Sequence, residues 1–88
     1  MIPRIVDARH AGGTRVWLRF ADGLTGEIDL ADELWGPIFE PLRVAEEFAK
    51  VHLDPETDTI AWPNGADFSP SWLHSRLSAA RIVTAAAE

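Results

Sequence analysis

From Thr14 to Phe20 apolar and polar positions alternate with a period of two. Val16, Leu18 and Phe20 fall on one side, Arg15, Trp17 and Arg19 on the other, which is the pattern of a half-buried strand. After Ala21-Asp22-Gly23 the alternation resumes from Leu24 to Leu30, so the two segments predict a hairpin. Its register follows from the side chains. A two-residue Asp-Gly turn would pair Leu18 with Glu27 and Val16 with Asp29, setting acids among the apolar residues. A three-residue loop with Gly23 in the left-handed position pairs Phe20 with Leu24, Leu18 with Gly26 and Val16 with Ile28, and the apolar face is then uniform. The other face matches Arg15 with Asp29, Trp17 with Glu27 and Arg19 with Thr25, all favourable cross-strand neighbours.

Upstream, Arg4 to His10 reads as a strand and Ala11-Gly12-Gly13 as its turn, which makes the first three strands a meander. A second hairpin is predicted where 51–54 and 59–62 flank Pro55-Glu56-Thr57-Asp58. A four-residue loop pairs Leu53 with Ile60 and Val51 with Trp62, leaving His52 and Ala61 on the opposite face. The strongest helix signal comes last. Ser69 is a good N-cap, Pro70 suits the first helical position, and Phe68 and Leu73 stand at the positions of a hydrophobic staple. Trp72, Leu73, Leu77 and Ala80 then recur at helical spacing, and the tail from Ile82 to Glu88 has no stop signal and is expected to fray.

The segment from Ala31 to Lys50 is irregular. Asp32-Glu33-Leu34 fits one helical turn, Gly36-Pro37 and Pro41 interrupt regular structure, and 45–50 fits a short helix. Trp35, Phe39, Leu42 and Phe48 are too apolar for a free loop and are expected to fold back over one end of the sheet. The fold class is thus α+β: a small antiparallel sheet from the meander and the second hairpin, with the C-terminal helix and one short central helix packed on it. One domain spans 1–88, with an ordered core of about 3–81.

Composition narrows the function classes. The chain has 88 residues, no cysteine, and 8 Lys and Arg against 14 Asp and Glu, a net charge of −6. Disulfides and cysteine-based zinc or redox sites are thereby excluded. No apolar run approaches the roughly 18 residues of a membrane span, and MIPRIVD lacks the apolar core of a signal peptide, so a soluble cytoplasmic protein is expected. Charge is uneven: residues 27–67 hold eleven acidic side chains against Arg43 and Lys50, net −9, between weakly positive ends. Phosphate binding needs a concentrated basic surface. DNA binding through Arg4, Arg9, Arg15 and Arg19 is therefore disfavoured, and a basic protein partner suits the acidic middle better.

The residues do not converge on a reaction. His10, His52 and His74 sit on different elements, His52-x-Asp54 is only two ligands, no Gly-x-Ser-x-Gly elbow surrounds a serine, and Gly12-Gly13 lacks the rest of a phosphate loop. No catalytic, cofactor-binding or metal-binding residues are assigned. The individual segments are DELWGPIF at 32–39 and WPNGADF at 62–68. Asn64 and Asp67 would hold the strand-to-helix corner by bonding backbone groups; alternatively Trp35, Trp62, Asn64 and Asp67 line a groove for a peptide or small ligand. Trp17, between Arg15 and Arg19, is either a contact residue on an open face or lies beneath the C-terminal helix. Asp32 and Glu33 complete the set of candidate partner contacts.

DELWGPIFEPLR at 32–43 and WPNGADFSPSWL at 62–73, with the V-x-L-D-P-E-T-x-T-I hairpin between them, resemble a small bacterial domain-of-unknown-function family, the one numbered twenty-four forty-two. The resemblance runs from Pro3 to about Ala80. It implies a single α+β domain with no established enzymatic activity and, from gene arrangements of some members, an antitoxin-like or regulatory module whose partner is encoded nearby. Relatives commonly have Asp-Pro where this chain has Val44-Ala45, so the short helix is expected to start weakly here. The expected function is a non-enzymatic protein-interaction module, with homodimerisation through uncovered sheet edges as a further expectation.

Overall fold

The computed structural model describes residues 3–87, with side chains through Ala79. Three strands, β1 (Ile5–His10), β2 (Arg15–Phe20) and β3 (Thr25–Asp29), form an antiparallel meander in the order β1-β2-β3. The β2–β3 register is the one the side chains require, with Val16 opposite Ile28, Leu18 opposite Gly26 and Trp17 opposite Glu27. The loop closes with the Phe20 N–H donating to the Leu24 carbonyl at 2.8 Å and Gly23 at φ +95°, a conformation that glycine adopts without steric cost. Between β1 and β2 the register shifts at Val6, which is left as a bulge.

The second hairpin, β4 (His52–Asp54) and β5 (Thr59–Ala61), pairs Leu53 with Ile60 as expected. It forms a sheet of its own and lies beside β1, joined through the Ile5 N–H and the Asp58 carbonyl at 3.0 Å. Ala61 stands opposite His52, as the four-residue loop requires, but it is not open to solvent. Every residue of β5 is buried, and the chain folds back after Trp62 so that Asp67 bridges to Ala61 along the strand's edge. Thr59 is correspondingly satisfied by donating its hydroxyl to the Phe68 carbonyl at 2.6 Å, which ties the hairpin to the start of the last helix.

That helix, α2, runs Pro70–Ala87. Ser69 caps it, its Oγ accepting from the Trp72 N–H at 3.4 Å. Leu73 and Leu77 bury their side chains in the core; Ala80 and the fraying expected for 82–88 fall outside the described side chains. The short helix α1 (Ala45–Phe48) is one turn, and its N-cap Val44 makes no side-chain capping bond, in keeping with the departure noted at 44–45. A 3-10 turn at Ala31–Glu33 matches the expected helical turn. A second, at Glu40–Arg43, departs from expectation: Pro41 reads as a breaker along the sequence, yet proline needs no N–H in a first turn.

The core gathers Ile5, Val16, Leu18, Phe20, Ile28, Leu30, Leu34, Leu42, Phe48, Ile60, Trp62, Ala66, Leu73 and Leu77. Leu42 and Phe48 fold back as expected and Phe39 packs partly, but Trp35 does not. It is 67% exposed.

Helix α2 packs where β3 leaves room. A Cβ on Gly26 would lie 2.8 Å from Leu77 Cδ1, well inside van der Waals contact, and Leu77 is itself buried. Gly26→Ala is therefore expected to destabilise the domain by about 1–3 kcal/mol through overpacking. Urea denaturation checks it; an unchanged midpoint would mean that the helix repacks at no cost.

His74 on α2 reaches the β2–β3 loop, its Nε2 lying 2.8 Å from Asp22 Oδ2, while its ring meets Phe20 edge to face. Asp22 also accepts from the Leu24 N–H at 3.0 Å. That backbone bond first, then His74, holds the carboxyl below its ordinary value of 3.8. A lowered folded-state pKa contributes stability that is complete above the unfolded value and is lost as pH falls through the folded one. Asp22→Asn is accordingly expected to flatten the acid limb of the stability profile below about pH 4, with no change in that limb as the contrary result.

Candidate functional site

An open groove of about 460 Å³ lies beside the start of α2, lined by Glu33, Trp35, Phe39, Asp67, Phe68, Ser69 and Trp72. Its walls come from the two segments that stand out in the sequence. Backbone constraints hold the first wall. The Arg43 Nε donates to the Leu34 carbonyl, and Gly36, at φ +91°, turns the chain so that the Phe39 and Glu40 N–H groups both donate to its carbonyl. Trp35 is thus displayed from a backbone that is tied on both sides.

The floor is aromatic and continuous with the core. Phe39 and Phe68 have ring centroids 5.1 Å apart, Phe68 and Trp62 5.9 Å, and Trp62 and Phe48 5.3 Å. Phe68 also stacks on Trp72 at 5.5 Å and 19°. Such contacts stabilise beyond plain area burial by roughly 0.5–1.5 kcal/mol each and leave the floor little freedom to close. At one rim Glu33 pairs with Arg76, Oε2 to Nη1 at 3.3 Å. Asp67, also in the lining, makes no ion pair or side-chain hydrogen bond through its carboxylate among the described residues.

The seven candidate contact residues divide. Trp35, Glu33 and Asp67 line the groove together. Asp32 is exposed next to Glu33 but does not line it. Trp62 is not a groove residue: it is 2% exposed, and its Nε1–H donates to the Phe48 carbonyl at 2.9 Å. Asn64 is likewise structural. Its Nδ2 donates to the Ile38 carbonyl at 2.8 Å and its Oδ1 accepts from the Ala66 N–H at 3.0 Å, so it pins the Trp62–Ala66 turn to the segment carrying Trp35. The role of corner bracket thus belongs to Asn64, whereas Asp67 keeps its side chain for the groove. Phe39, Phe68, Ser69 and Trp72 complete the lining, and sequence reasoning does not single them out as contacts. The usable signal is the i, i+4 spacing of Phe68 and Trp72, which places both on one side of the helix start.

Trp17 lies on the meander face opposite Leu18 and Gly26, hence away from Leu77 and the helix. Burial under α2 is overturned. The indole is half-buried beneath the Arg9 guanidinium, whose Cζ is 5.6 Å from the ring centroid. Arg9 and Arg19 both approach Asp7, at 3.6 and 4.0 Å, and Arg15 stands opposite Asp29, so the basic residues of this face alternate with carboxylates. Asp29 is held below its ordinary value by the Ala31 N–H first and the Thr14 hydroxyl second.

The histidines stay apart. His10 bonds the Gly13 carbonyl and His52 lies 3.4 Å from the Lys50 carbonyl, with His74 on Asp22. No group of three or more His, Asp or Glu among the described residues is arranged to hold a metal ion. No helix among them is long and apolar enough to cross a membrane.

No curated protein and no solved structure matches the chain. The family model that does match is described as Protein of unknown function (DUF2442) and covers residues 5–76, which include both segments that build the groove, and the chain belongs to that family.

Proposed function

We propose that this domain is a non-enzymatic protein-interaction module, antitoxin-like or regulatory in role, that binds a basic protein partner encoded by an adjacent gene in the bacterial cytoplasm. The observation that carries the reading is the groove: Trp35, 67% exposed, lines it together with Phe39, Phe68 and Trp72 and with the acidic side chains Glu33 and Asp67. An exposed tryptophan is costly to leave in water without a partner, and aromatic anchors in pockets dominate interface energetics. The net charge of −9 across residues 27–67 adds long-range attraction for a basic partner and sets the sign of the salt dependence.

A small organic ligand is the second reading, favoured by a groove volume within the roughly 300–1,000 Å³ of ordinary ligand sites. The two differ in their demand on charge. Co-expression with the adjacent gene product is expected to yield a stoichiometric complex that weakens with rising salt and is weakened further by Asp67→Lys. No association at any salt concentration contradicts the partner reading.

A further inference from the structure

Trp72 shows how this groove handles a cation. The Arg76 guanidinium lies over the Trp72 ring with Cζ 5.0 Å from its centroid, and its Nη1 is 3.3 Å from Glu33 Oε2. An indole face and a carboxylate together hold a guanidinium there. Both components recur in the same groove without a cation. Trp35 has no ring or cation contact among the described residues, and Asp67 has no ionic partner there.

We infer that the groove recognises an arginine side chain of the partner, its guanidinium laid on Trp35 and paired with Asp67, next to an apolar residue that covers the Phe39 and Phe68 floor. This rests on the groove being the partner site. Arginine fits better than lysine for three reasons. The planar guanidinium stacks on an indole while its edge still points N–H groups at a carboxylate; it is less strongly hydrated than an ammonium; and it loses less freedom per bond formed. A groove of about 460 Å³ exceeds one side chain, and its mostly aromatic lining calls for an apolar neighbour rather than a second charge.

The test uses the full chain labelled with 15N at tryptophan, so that the indole N–H signals of Trp17, Trp35, Trp62 and Trp72 report separately. The probes are a capped Ala-Leu-Arg-Leu-Ala peptide and its Lys and Gln counterparts. The arginine peptide is expected to move Trp35 and Trp72 saturably, leave Trp17 and Trp62 in place, and bind about tenfold tighter than the glutamine peptide, with lysine between, as one exposed cation–π contact plus one exposed ion pair imply. Asp67→Asn is expected to cut the arginine advantage over the glutamine peptide to about twofold. Equal affinities of the arginine and glutamine peptides overturn the inference and leave the groove intact as an apolar site. An arginine advantage that survives Asp67→Asn undiminished overturns it as well, and so does a Trp35 signal that no peptide moves. In that last case the groove reading stands or falls separately, on whether Trp35→Ala weakens the complex with the adjacent gene product.

Discussion

Trp62→Ala is expected to remove about 3–5 kcal/mol of folding stability, the largest effect of any substitution considered for this chain. A domain of 88 residues has about 4–13 kcal/mol in total, so the variant is expected to be marginally folded at room temperature. The reason is position as much as size. Trp62 joins the groove floor to the core through Phe68 and Phe48, and its indole N–H is a second donor, beside the Val51 N–H, to the Phe48 carbonyl at the end of α1. Trp62→Phe separates the two contributions: it keeps an aromatic ring but removes the indole donor, leaving the Phe48 carbonyl with the Val51 N–H alone, at about 0.5–1.5 kcal/mol for the lost bond. Urea denaturation followed by circular dichroism checks both, and a loss below about 1.5 kcal/mol for alanine would show that the cavity collapses cheaply.

Trp35→Ala carries the second large effect, and it falls on binding. Loss of a central aromatic anchor costs about 2–4 kcal/mol, or roughly 30- to 1,000-fold in Kd. Because Trp35 is exposed and the backbone around it is held by Arg43 and by the Gly36 turn, stability is expected to stay within about 0.5 kcal/mol of the wild type. Two tryptophans on the two motif segments thus have opposite expected behaviour, one acting on folding and the other on association. A denaturation midpoint and a dissociation constant for each variant give the full comparison.

Much of this fold is legible because side-chain alternation fixes strand register. Shifting the β2–β3 pairing by one residue would place Glu27 and Asp29 among Val16 and Leu18, so only one loop length is tolerable and the structure adopts it. The Ser69 cap is legible for a comparable local reason. What cannot be read is contact between segments distant in the chain. Ala61 pairs with His52 and Ile60 with Leu53 as strand alternation requires, but every residue of β5 is buried and the chain returns through Asn64 to bridge Asp67 to Ala61, and no two-residue period encodes that. Trp35 shows the reverse error. Its apolar character predicts burial, whereas the Gly36 turn and the 3-10 turn at Glu40–Arg43 send Phe39 and Leu42 inward and leave Trp35 outside. The candidate site is therefore half legible. Trp35, Glu33 and Asp67 belong to the groove, Trp62 and Asn64 to its support, and the Phe68–Trp72 wall emerges only once α2 is in place.

The central claim is that the Trp35 groove, and neither the Trp17 face nor the buried Trp62, is the surface on which a partner is recognised. Its most direct test is calorimetric titration of the purified adjacent gene product into the wild type, Trp35→Ala and Trp17→Ala. The predicted result is a loss of at least about 30-fold in affinity for Trp35→Ala, with Trp17→Ala within about threefold of the wild type. Equal affinity of the wild type and Trp35→Ala, or a loss confined to Trp17→Ala, would contradict it.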